Sequence, residues 1–181
     1  MKKNNVELEL LPLTNTLFPL IGDKLKEFNC HDGVINKFLV EEAFEAQQEG
    51  IASTVLLVNK KNNYEIFGFF TLQLQSIDIR DEEEKIKDTF TAIRIALFAI
   101  DVKYQRKGIG QKLMTALKHQ LISFNEFVGF KAIFLGAIVK YYKFYEKCGF
   151  QLFNQQEDEV DDKDQEVDMI MRLNSLYESL E

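Results

Sequence analysis

The sequence has few of the residues that build disulfides and metal sites. Its two cysteines, Cys30 and Cys148, lie far apart and have no partner at metal-ligand spacing, which argues against a disulfide framework or a zinc site. No apolar run approaches the ~18 residues of a membrane span. The first residues, MKKNNVELELLPLTNTLF, lack the apolar core and cleavage site of a signal peptide. We therefore expect a cytoplasmic protein that uses no metal.

Basic residues are also outnumbered. The chain has 22 lysines and arginines against 29 aspartates and glutamates, which gives a net charge of −7. This excess opposes a general affinity for polyanions, although it leaves room for a local basic patch. Its 181 residues, of which 46% are hydrophobic and 28% charged, are typical of one globular domain. We predict a single domain over residues 1–181.

Hydrophobic periodicity predicts a mixed α/β sheet. The stretch 32–48 has apolar residues at helical spacing, with Asp32 as a candidate N-cap and Gly50 as the C-terminal stop. A second amphipathic helix is predicted over 109–124, with an apolar face formed by Leu113, Met114, Leu117 and Leu121. Strands are predicted over 53–59, 66–77, 92–102, 131–137, 151–153 and 167–173, and a short helix over 140–147. Residues 60–64 are predicted to form a polar turn, and 80–88 a solvated loop or short helix.

The segment 98–110, FAIDVKYQRKGIG, has the properties of an anion cradle. An apolar strand ends there, and the turn Gln105–Gly110 opens directly into the amphipathic helix. Its two glycines let backbone amides approach a ligand, and the helix N-terminus adds partial positive charge. Positive potential is added by Lys103, Arg106, Lys107 and Lys112. This combination predicts a pyrophosphate site, whereas a two-glycine turn alone would indicate no more than turn geometry.

Two motifs resemble those of the GNAT acetyltransferases. Gln105–Gly110 is similar to that family's Q/R-x-x-G-x-G/A acetyl-CoA loop, and Tyr145–Phe150 (YEKCGF) is similar to its later Y-x-x-x-G-F element. The resemblance extends over residues 28–173. It implies a GNAT-like α/β (α+β) fold, in which helices flank a mixed, mostly antiparallel central sheet. It also implies an enzyme that transfers acetyl from acetyl-CoA to a primary amine.

The resemblance implies a role for each matched residue. Backbone groups of Phe98, Ile100 and Val102 would pair with the pantetheine arm of acetyl-CoA. The pyrophosphate would be held by loop amides, with Lys112 near the phosphates; the loop residues are Gln105, Arg106, Lys107, Gly108, Ile109 and Gly110. Tyr145 would protonate the thiolate that departs after direct attack of a neutral amine. From the residues alone, a tyrosine in so aromatic a helix is equally well explained by packing.

The sequence departs from the family pattern in two respects. Many members have an asparagine seven residues before the tyrosine, where this chain has Ile138. No general base is apparent either: Asp101, Asp78 and the glutamates at 82–84 are candidates, and a water relay would need none. We expect His119 on the surface. Cys148 has no adjoining histidine and is expected to pack as a small apolar residue.

The acceptor is left open between a small-molecule or protein amine and aminoacyl-tRNA. Residues 31–58, with an N-x-F-L motif at Asn36–Leu39, are similar to the GNAT toxins of toxin–antitoxin pairs, which acetylate aminoacyl-tRNA. Against this, Leu97 stands where those toxins often have arginine. Candidates for a basic, tRNA-docking face are Arg94, Lys118, Lys131, Lys140 and Lys143.

Further alternatives concern the acceptor, the functional class and the partners. The acidic segment 157–168 would attract a cationic amine if it overhung the acceptor site, although such runs usually form solvated loops. A non-catalytic acyl-CoA-binding module is the alternative from another functional class. An antitoxin partner and a homodimer also stay open.

Overall fold

The computed structural model describes residues 7–80, 83, 85–153 and 165–180. Strand β1 (Leu8–Pro12) precedes helix α1 (Phe18–Glu27), α2 (Gly33–Lys37), a π-helical turn (Phe38–Glu42) and α3 (Ala43–Gln48). Next come strand β2 (Ser53–Asn59), a 3-10 turn (Lys60–Asn62), and strands β3 (Glu65–Arg80) and β4 (Ile86–Ile100). The remaining elements are α4 (Ile109–Asn125), β5 (Ala132–Ile138), α5 (Val139–Lys147), β6 (Gln151–Leu152), β7 (Glu166–Arg172) and α6 (Leu173–Glu178).

The strands form one seven-stranded sheet in the order β1-β2-β3-β4-β5-β7-β6. β1 with β2, β2 with β3, β5 with β7 and β6 with β7 are antiparallel. β4 and β5 are parallel, and their pairing joins Ala92–Arg94 to Ala132–Phe134. The predicted mixed, mostly antiparallel sheet flanked by helices is therefore confirmed.

By its internal contacts the chain divides into two compact units. The first comprises residues 1–72 and 97–113, and the second residues 73–96 and 114–181. The first unit has a core built from β1, α1, α3 and the strands β2–β4, which includes Leu13, Ile21, Leu25, Leu39, Ala43, Leu56, Phe69 and Ala99. A core cluster of the second unit contains Ile77, Ala92, Ala132, Phe134 and Ile170, with Phe90 and Phe153 packed against it. Among the described residues, no helix is long and apolar enough to cross a membrane.

Most of the predicted elements are present. The strand over Ser53–Asn59 and the helix starting at Ile109 are confirmed, and all four residues of that helix's predicted apolar face are buried. The predicted loop over 80–88 is wrong at both ends, because β3 continues to Arg80 and β4 already starts at Ile86. Residues 83 and 85 lie outside the two strands, and residues 81, 82 and 84 lie outside the described residues. The charged side chains of this hairpin are mostly exposed, so they are compatible with a strand. β1, α1 and α6 were not predicted.

The helix predicted over 32–48 is present but is interrupted by a turn of π-helix. The side chain of Asp32 caps it, accepting hydrogen bonds from the amides of Val34 (2.9 Å) and Ile35 (3.1 Å). Gly50, with φ +70°, ends it. Both predicted boundary signals therefore act as expected.

Gly68 on β3 lies where the end of β4 comes very close. A Cβ at this position would stand 2.6 Å from the carbonyl oxygen of Ala99 and 2.6 Å from Cδ1 of Ile100. Because one of these atoms belongs to the backbone of β4, the contact cannot be relieved by a side-chain rotation. A glycine is therefore needed to place the end of β4, which leads into the loop at residues 101–108.

We predict that Gly68→Ala destabilises the protein by about 1–3 kcal/mol, the usual cost of overpacking. Gly22→Ala is the matched control, because a Cβ at Gly22 in α1 would meet nothing within 4 Å, and alanine favours a helix by up to ~1 kcal/mol. Urea unfolding of the two variants should move their midpoints in opposite directions. Equal midpoints would contradict the role of Gly68.

Candidate functional site: the strand-to-helix loop and the tyrosine helix

The loop after β4 is organised by the buried carboxylate of Asp101, which is 2% exposed. One of its oxygens, Oδ2, accepts a hydrogen bond from the amide of Asn29 (3.0 Å), and Oδ1 accepts one from the amide of Lys103 (2.9 Å). Its backbone carbonyl accepts from the amides of Tyr104 (2.8 Å) and Gln105 (3.1 Å). This residue therefore fixes the loop and its neighbour at Asn29, and both oxygens of the candidate base are already occupied.

Gln105, the first residue of the predicted acetyl-CoA motif, also stabilises the loop through its side chain. Its side-chain Nε2 donates to the carbonyl oxygen of Ile100 (2.9 Å) and, more weakly, to that of Cys30 (3.4 Å). The amide of Val102 donates to the carbonyl oxygen of Asn29 (2.8 Å). The loop is thus tied back to the end of its own strand and to the segment before α2.

The glycine turn has the backbone geometry of an anion cradle. Arg106 and Gly108 both lie in the left-handed region, with φ of +57° and +76°, and α4 begins immediately afterwards at Ile109. The amide of Lys112 bonds back to the carbonyl of Gly108 (3.2 Å). The backbone amides before Lys112, in the first turn of α4, have no acceptor within the helix. They are therefore available to a ligand at the N-terminus of α4, which is the positive end of the helix dipole.

The four predicted cations of this loop are all exposed. Lys107 is fixed by a hydrogen bond from its Nζ to the carbonyl oxygen of Lys103 (2.6 Å), and its ammonium lies 5.9 Å from the ring centroid of Tyr104. Lys103, Arg106 and Lys112 project from the same short segment. The loop therefore combines backbone donors with positive charge, as the sequence predicted.

No pattern in the sequence indicates the role of Tyr104. Its ring stacks on that of Phe67 at 3.7 Å between centroids, and its hydroxyl donates a hydrogen bond to Glu65 Oε1. Burial and the neighbouring carboxylate raise the pKa of this phenol, while the bond from Tyr104 lowers the pKa of Glu65. Tyr104 therefore anchors the loop to the start of β3.

The second motif, Tyr145–Phe150, is the C-terminal end of α5. The amide of Phe150 donates to the carbonyl of Tyr145 (3.1 Å), and the amide of Gly149 donates to that of Glu146 (2.8 Å). Gly149 has φ +90°. This is the Schellman arrangement, in which a left-handed glycine ends the helix and the following apolar residue packs back onto it. Here Phe150, which is 1% exposed, has its ring 6.1 Å from that of Tyr145.

The motif thus positions Tyr145 through the backbone as well as through its ring. The ring also makes an edge contact with Phe144 at 5.1 Å. Burial raises the pKa of the Tyr145 phenol, so the hydroxyl keeps its proton throughout the neutral range. A proton donor needs that property.

The remaining candidate residues are accounted for individually. Asp78 Oδ1 accepts a hydrogen bond from the Thr89 hydroxyl (2.8 Å), and His119 is exposed as expected. Glu83 forms an exposed ion pair with Lys85 (2.5 Å), and residues 82 and 84 lie outside the described residues. Burial raises the pKa of the Cys148 thiol, which disfavours a nucleophilic thiolate. In the part of the chain that the structure describes, no three histidine, cysteine or acidic side chains are grouped as metal ligands would be.

Comparison with known proteins identifies the domain. Residues 65–152 match the family model of the acetyltransferase (GNAT) domain. Over these residues the chain is similar to the GNAT acetyltransferases, and the matched segment includes both the loop Gln105–Gly110 and the motif Tyr145–Phe150.

The whole GNAT fold is shared with solved toxin structures. A bacterial toxin superposes with a TM-score of 0.78 at 16% identity, covering 96% of this chain and 95% of that one. A mutant of the toxin AtaT bound to the C-terminus of the antitoxin AtaR and acetyl-CoA gives 0.73 at 20% identity, with 93% and 95% covered. AtaT complexed with acetyl-methionyl-tRNAfMet gives 0.73 at 18% identity, with 94% and 98% covered. The chain is therefore similar to GNAT toxins over nearly its full length.

We predict that Asp101→Ala destabilises the protein by about 2–4 kcal/mol, because two backbone amides lose a charged acceptor. The less ordered loop should also bind acetyl-CoA about tenfold or more weakly, since ordering it would then oppose binding. Urea unfolding and calorimetric titration with acetyl-CoA measure the two effects. Asp23→Ala, which removes an exposed carboxylate from α1, is the control and should change neither quantity appreciably. Wild-type behaviour of Asp101→Ala would show that the loop is held by other contacts.

Proposed function

We propose that this enzyme acetylates the α-amino group of aminoacyl-tRNA. The observation that supports this acceptor most directly is the likeness, over nearly the full length of both chains, to AtaT complexed with acetyl-methionyl-tRNAfMet. The complex of AtaT with the antitoxin AtaR likewise supports an antitoxin as partner. Action on charged tRNA would take place in the cytosol, in agreement with the two free cysteines.

In the proposed complex, the loop after β4 holds the cofactor. The amides of residues 106–110 bind the pyrophosphate, with Lys112 nearby, whereas the amide of Gln105 already donates to the carbonyl of Asp101. Backbone groups of Phe98 and Ile100 pair with the pantetheine arm. Val102 contributes through its carbonyl alone, because its amide already donates to Asn29. This refines the role that the family resemblance implies for Val102.

The proposed chemistry is direct transfer. The neutral amine attacks the thioester carbon, a C–N bond forms, and the C–S bond breaks. Tyr145 gives its proton to the departing thiolate and is reprotonated from solvent. A donor near the thioester oxygen would stabilise the tetrahedral intermediate, and no acyl-enzyme is formed.

A basic stripe on α5 supports a nucleic-acid acceptor. Lys140, Lys143 and Lys147 are exposed, and their spacing of three and four residues places them on one side of the helix that contains Tyr145. The ammonium of Lys140 lies 5.1 Å from the ring centroid of Tyr141. Among the described ion pairs, none uses these three lysines, so their charge is available to phosphates.

One residue must be removed from the predicted basic face. Lys118 is 6% exposed, and its ammonium donates hydrogen bonds to the carbonyl of Cys148 (2.5 Å) and to Ser179 Oγ (3.1 Å). Its position on the buried side of α4 gives the reason, because the long side chain points inward to the end of α5 and to α6. It cannot contact tRNA without leaving these partners.

A second candidate acceptor is a small cationic amine or a protein amine, which the net charge of −7 favours. The acidic segment that would attract it falls at residues 157–168, of which 157–164 lie outside the described residues. The two acceptor classes are separated by the experiment that follows.

We expect labelled acetyl to pass from acetyl-CoA to bulk charged tRNA, and not to a parallel pool of polyamines, amino acids and peptides. The double variant Lys140→Ala/Lys143→Ala should raise the KM for charged tRNA. It should also make the slope of log(kcat/KM) against log salt concentration shallower by about one unit per lysine. Lys26→Ala/Lys37→Ala, which removes equal charge from α1 and α2, is the control. Label in the amine pool alone would refute the tRNA acceptor.

The role of Tyr145 is tested by Tyr145→Phe. Loss of a general acid should lower kcat by about 10²–10⁴-fold, while the dissociation constant of acetyl-CoA stays unchanged because the ring contacts remain. Tyr141→Phe, which changes another tyrosine of the same helix whose side chain is 55% exposed, should retain full turnover. If Tyr145→Phe also retains it, Tyr145 is a packing residue. If the wild-type enzyme binds acetyl-CoA but transfers to no acceptor, the non-catalytic module is favoured.

A further inference from the structure

Three charged side chains meet on one face of the sheet within the second unit. Arg94 on β4 is in register with Phe134 on β5, which in turn faces Ile170 on β7. Two residues further along β5, Gly136 is in register with Asp168 on β7. Since alternate residues of a strand share a face, Arg94, Gly136 and Asp168 all point to the same side.

Gly136 leaves a gap between the two charged side chains, and Glu166 enters it. Glu166 is in register with Ile138, yet its carboxylate bends back over β5. A Cβ added to Gly136 would stand 1.8 Å from Oε1 of Glu166. The missing side chain therefore makes room for this carboxylate between Arg94 and Asp168. We call Arg94, Gly136, Glu166 and Asp168 the trough.

The Nε–H donor of Arg94, at the edge of the trough on β4, has no hydrogen-bond partner among the described residues. The Nε atom of Arg94 is buried and makes no hydrogen bond to any described residue, and the described ion pairs do not include Arg94. Oε1 of Gln75, which alternation places on the same side of β3 as the core residue Ile77, is likewise buried and unbonded. A buried polar atom without a partner costs about 1–3 kcal/mol. A bound ligand would recover that cost.

The trough also holds a carboxyl group suited to proton transfer. Asp168 is open to solvent, and the atoms beside its carboxylate partly desolvate it. This desolvation and the charge of Glu166 raise the pKa of Asp168, and Arg94 lowers it in part. Among the described residues, these two are the charged groups that face Asp168 from β7 and β4, while β5 presents Gly136 and β6 presents Gln151 on this face.

We propose that the trough is the acceptor subsite and that it takes an amine adjacent to a carbonyl, the α-aminoacyl group. Glu166 and Asp168 bind the ammonium, Asp168 receives one of its protons, and Nε–H of Arg94 donates to the acyl carbonyl oxygen. This inference rests on the proposed acetyl transfer and specifies its acceptor. Next to the trough, Phe134 and Phe153 meet at 5.9 Å in an edge contact and offer an apolar surface to the aminoacyl side chain.

The proton balance is complete without a further reactant. The ammonium gives one proton to Asp168, and the neutral amine then attacks acetyl-CoA. As the C–S bond breaks, Tyr145 protonates the sulfur, and the second nitrogen proton passes through solvent to restore the tyrosine. The net products are the acetylated amine, free CoA and one proton released from Asp168.

Asp168→Asn and Arg94→Met separate the two recognition roles. With charged tRNA at neutral pH, Asp168→Asn should lower kcat by about 10²-fold, and the deficit should shrink as pH rises above ~8, where an α-amine arrives neutral. A structural defect would persist at every pH and would overturn the role of Asp168. Asp88→Asn, an exposed carboxylate on β4, is the control and should behave as wild type.

Arg94 is tested with L-leucinamide and isoamylamine, which differ only by the carboxamide. The CoA-saturated protein is titrated with each, and backbone amide shifts of Gly136 and Asp168 are followed by NMR. Leucinamide should bind at least tenfold more tightly than isoamylamine to the wild type, and about equally to Arg94→Met. Equal binding by the wild type, or shifts elsewhere, would overturn the trough. This readout needs no turnover, so it stays informative if charged tRNA is not acetylated.

Discussion

The loop that leads into α4 depends on the buried carboxylate of Asp101. A carboxylate removed from water must be matched by donors, and here the donors are backbone amides of Asn29 and Lys103. Each bond fixes a piece of main chain that would otherwise have several conformations. The two left-handed residues that follow, Arg106 and Gly108, are conformations that a free loop would rarely hold. The conformation of this loop is therefore stabilised because the buried charge of Asp101 is satisfied.

Local signals in the sequence were sufficient for much of the fold. Asp32 and Gly50 mark the ends of a helix by side-chain capping and left-handed geometry, and the spacing of Leu113, Met114, Leu117 and Leu121 gives α4 its buried face. The two motifs, at residues 105–110 and in α5, are also local. Each of these features is decided by neighbours within a few positions along the chain, which a single sequence displays.

Features that depend on register or on distant partners were not predictable. The trough exists because Arg94, Gly136 and Asp168 come from three strands whose offsets are set by pairing, and no short segment contains that information. Lys118 was misassigned for a similar reason, because its partners at Cys148 and Ser179 lie far along the chain. The start of β4 was missed since charged residues dominate a strand whose side chains are largely solvated there.

The Schellman turn at Gly149 has a consequence for the motion of α5. Helix ends usually fray, because their last carbonyls lack partners. In this helix the carbonyls of Tyr145 and Glu146 are both bonded by the residues that follow, and Phe150 is buried. Opening the last turn would therefore require Phe150 to leave its buried site. The last turn of α5 is therefore as rigid as a turn in the middle of a helix. The Tyr145 hydroxyl is accordingly expected to move less than that of a tyrosine at a frayed helix end.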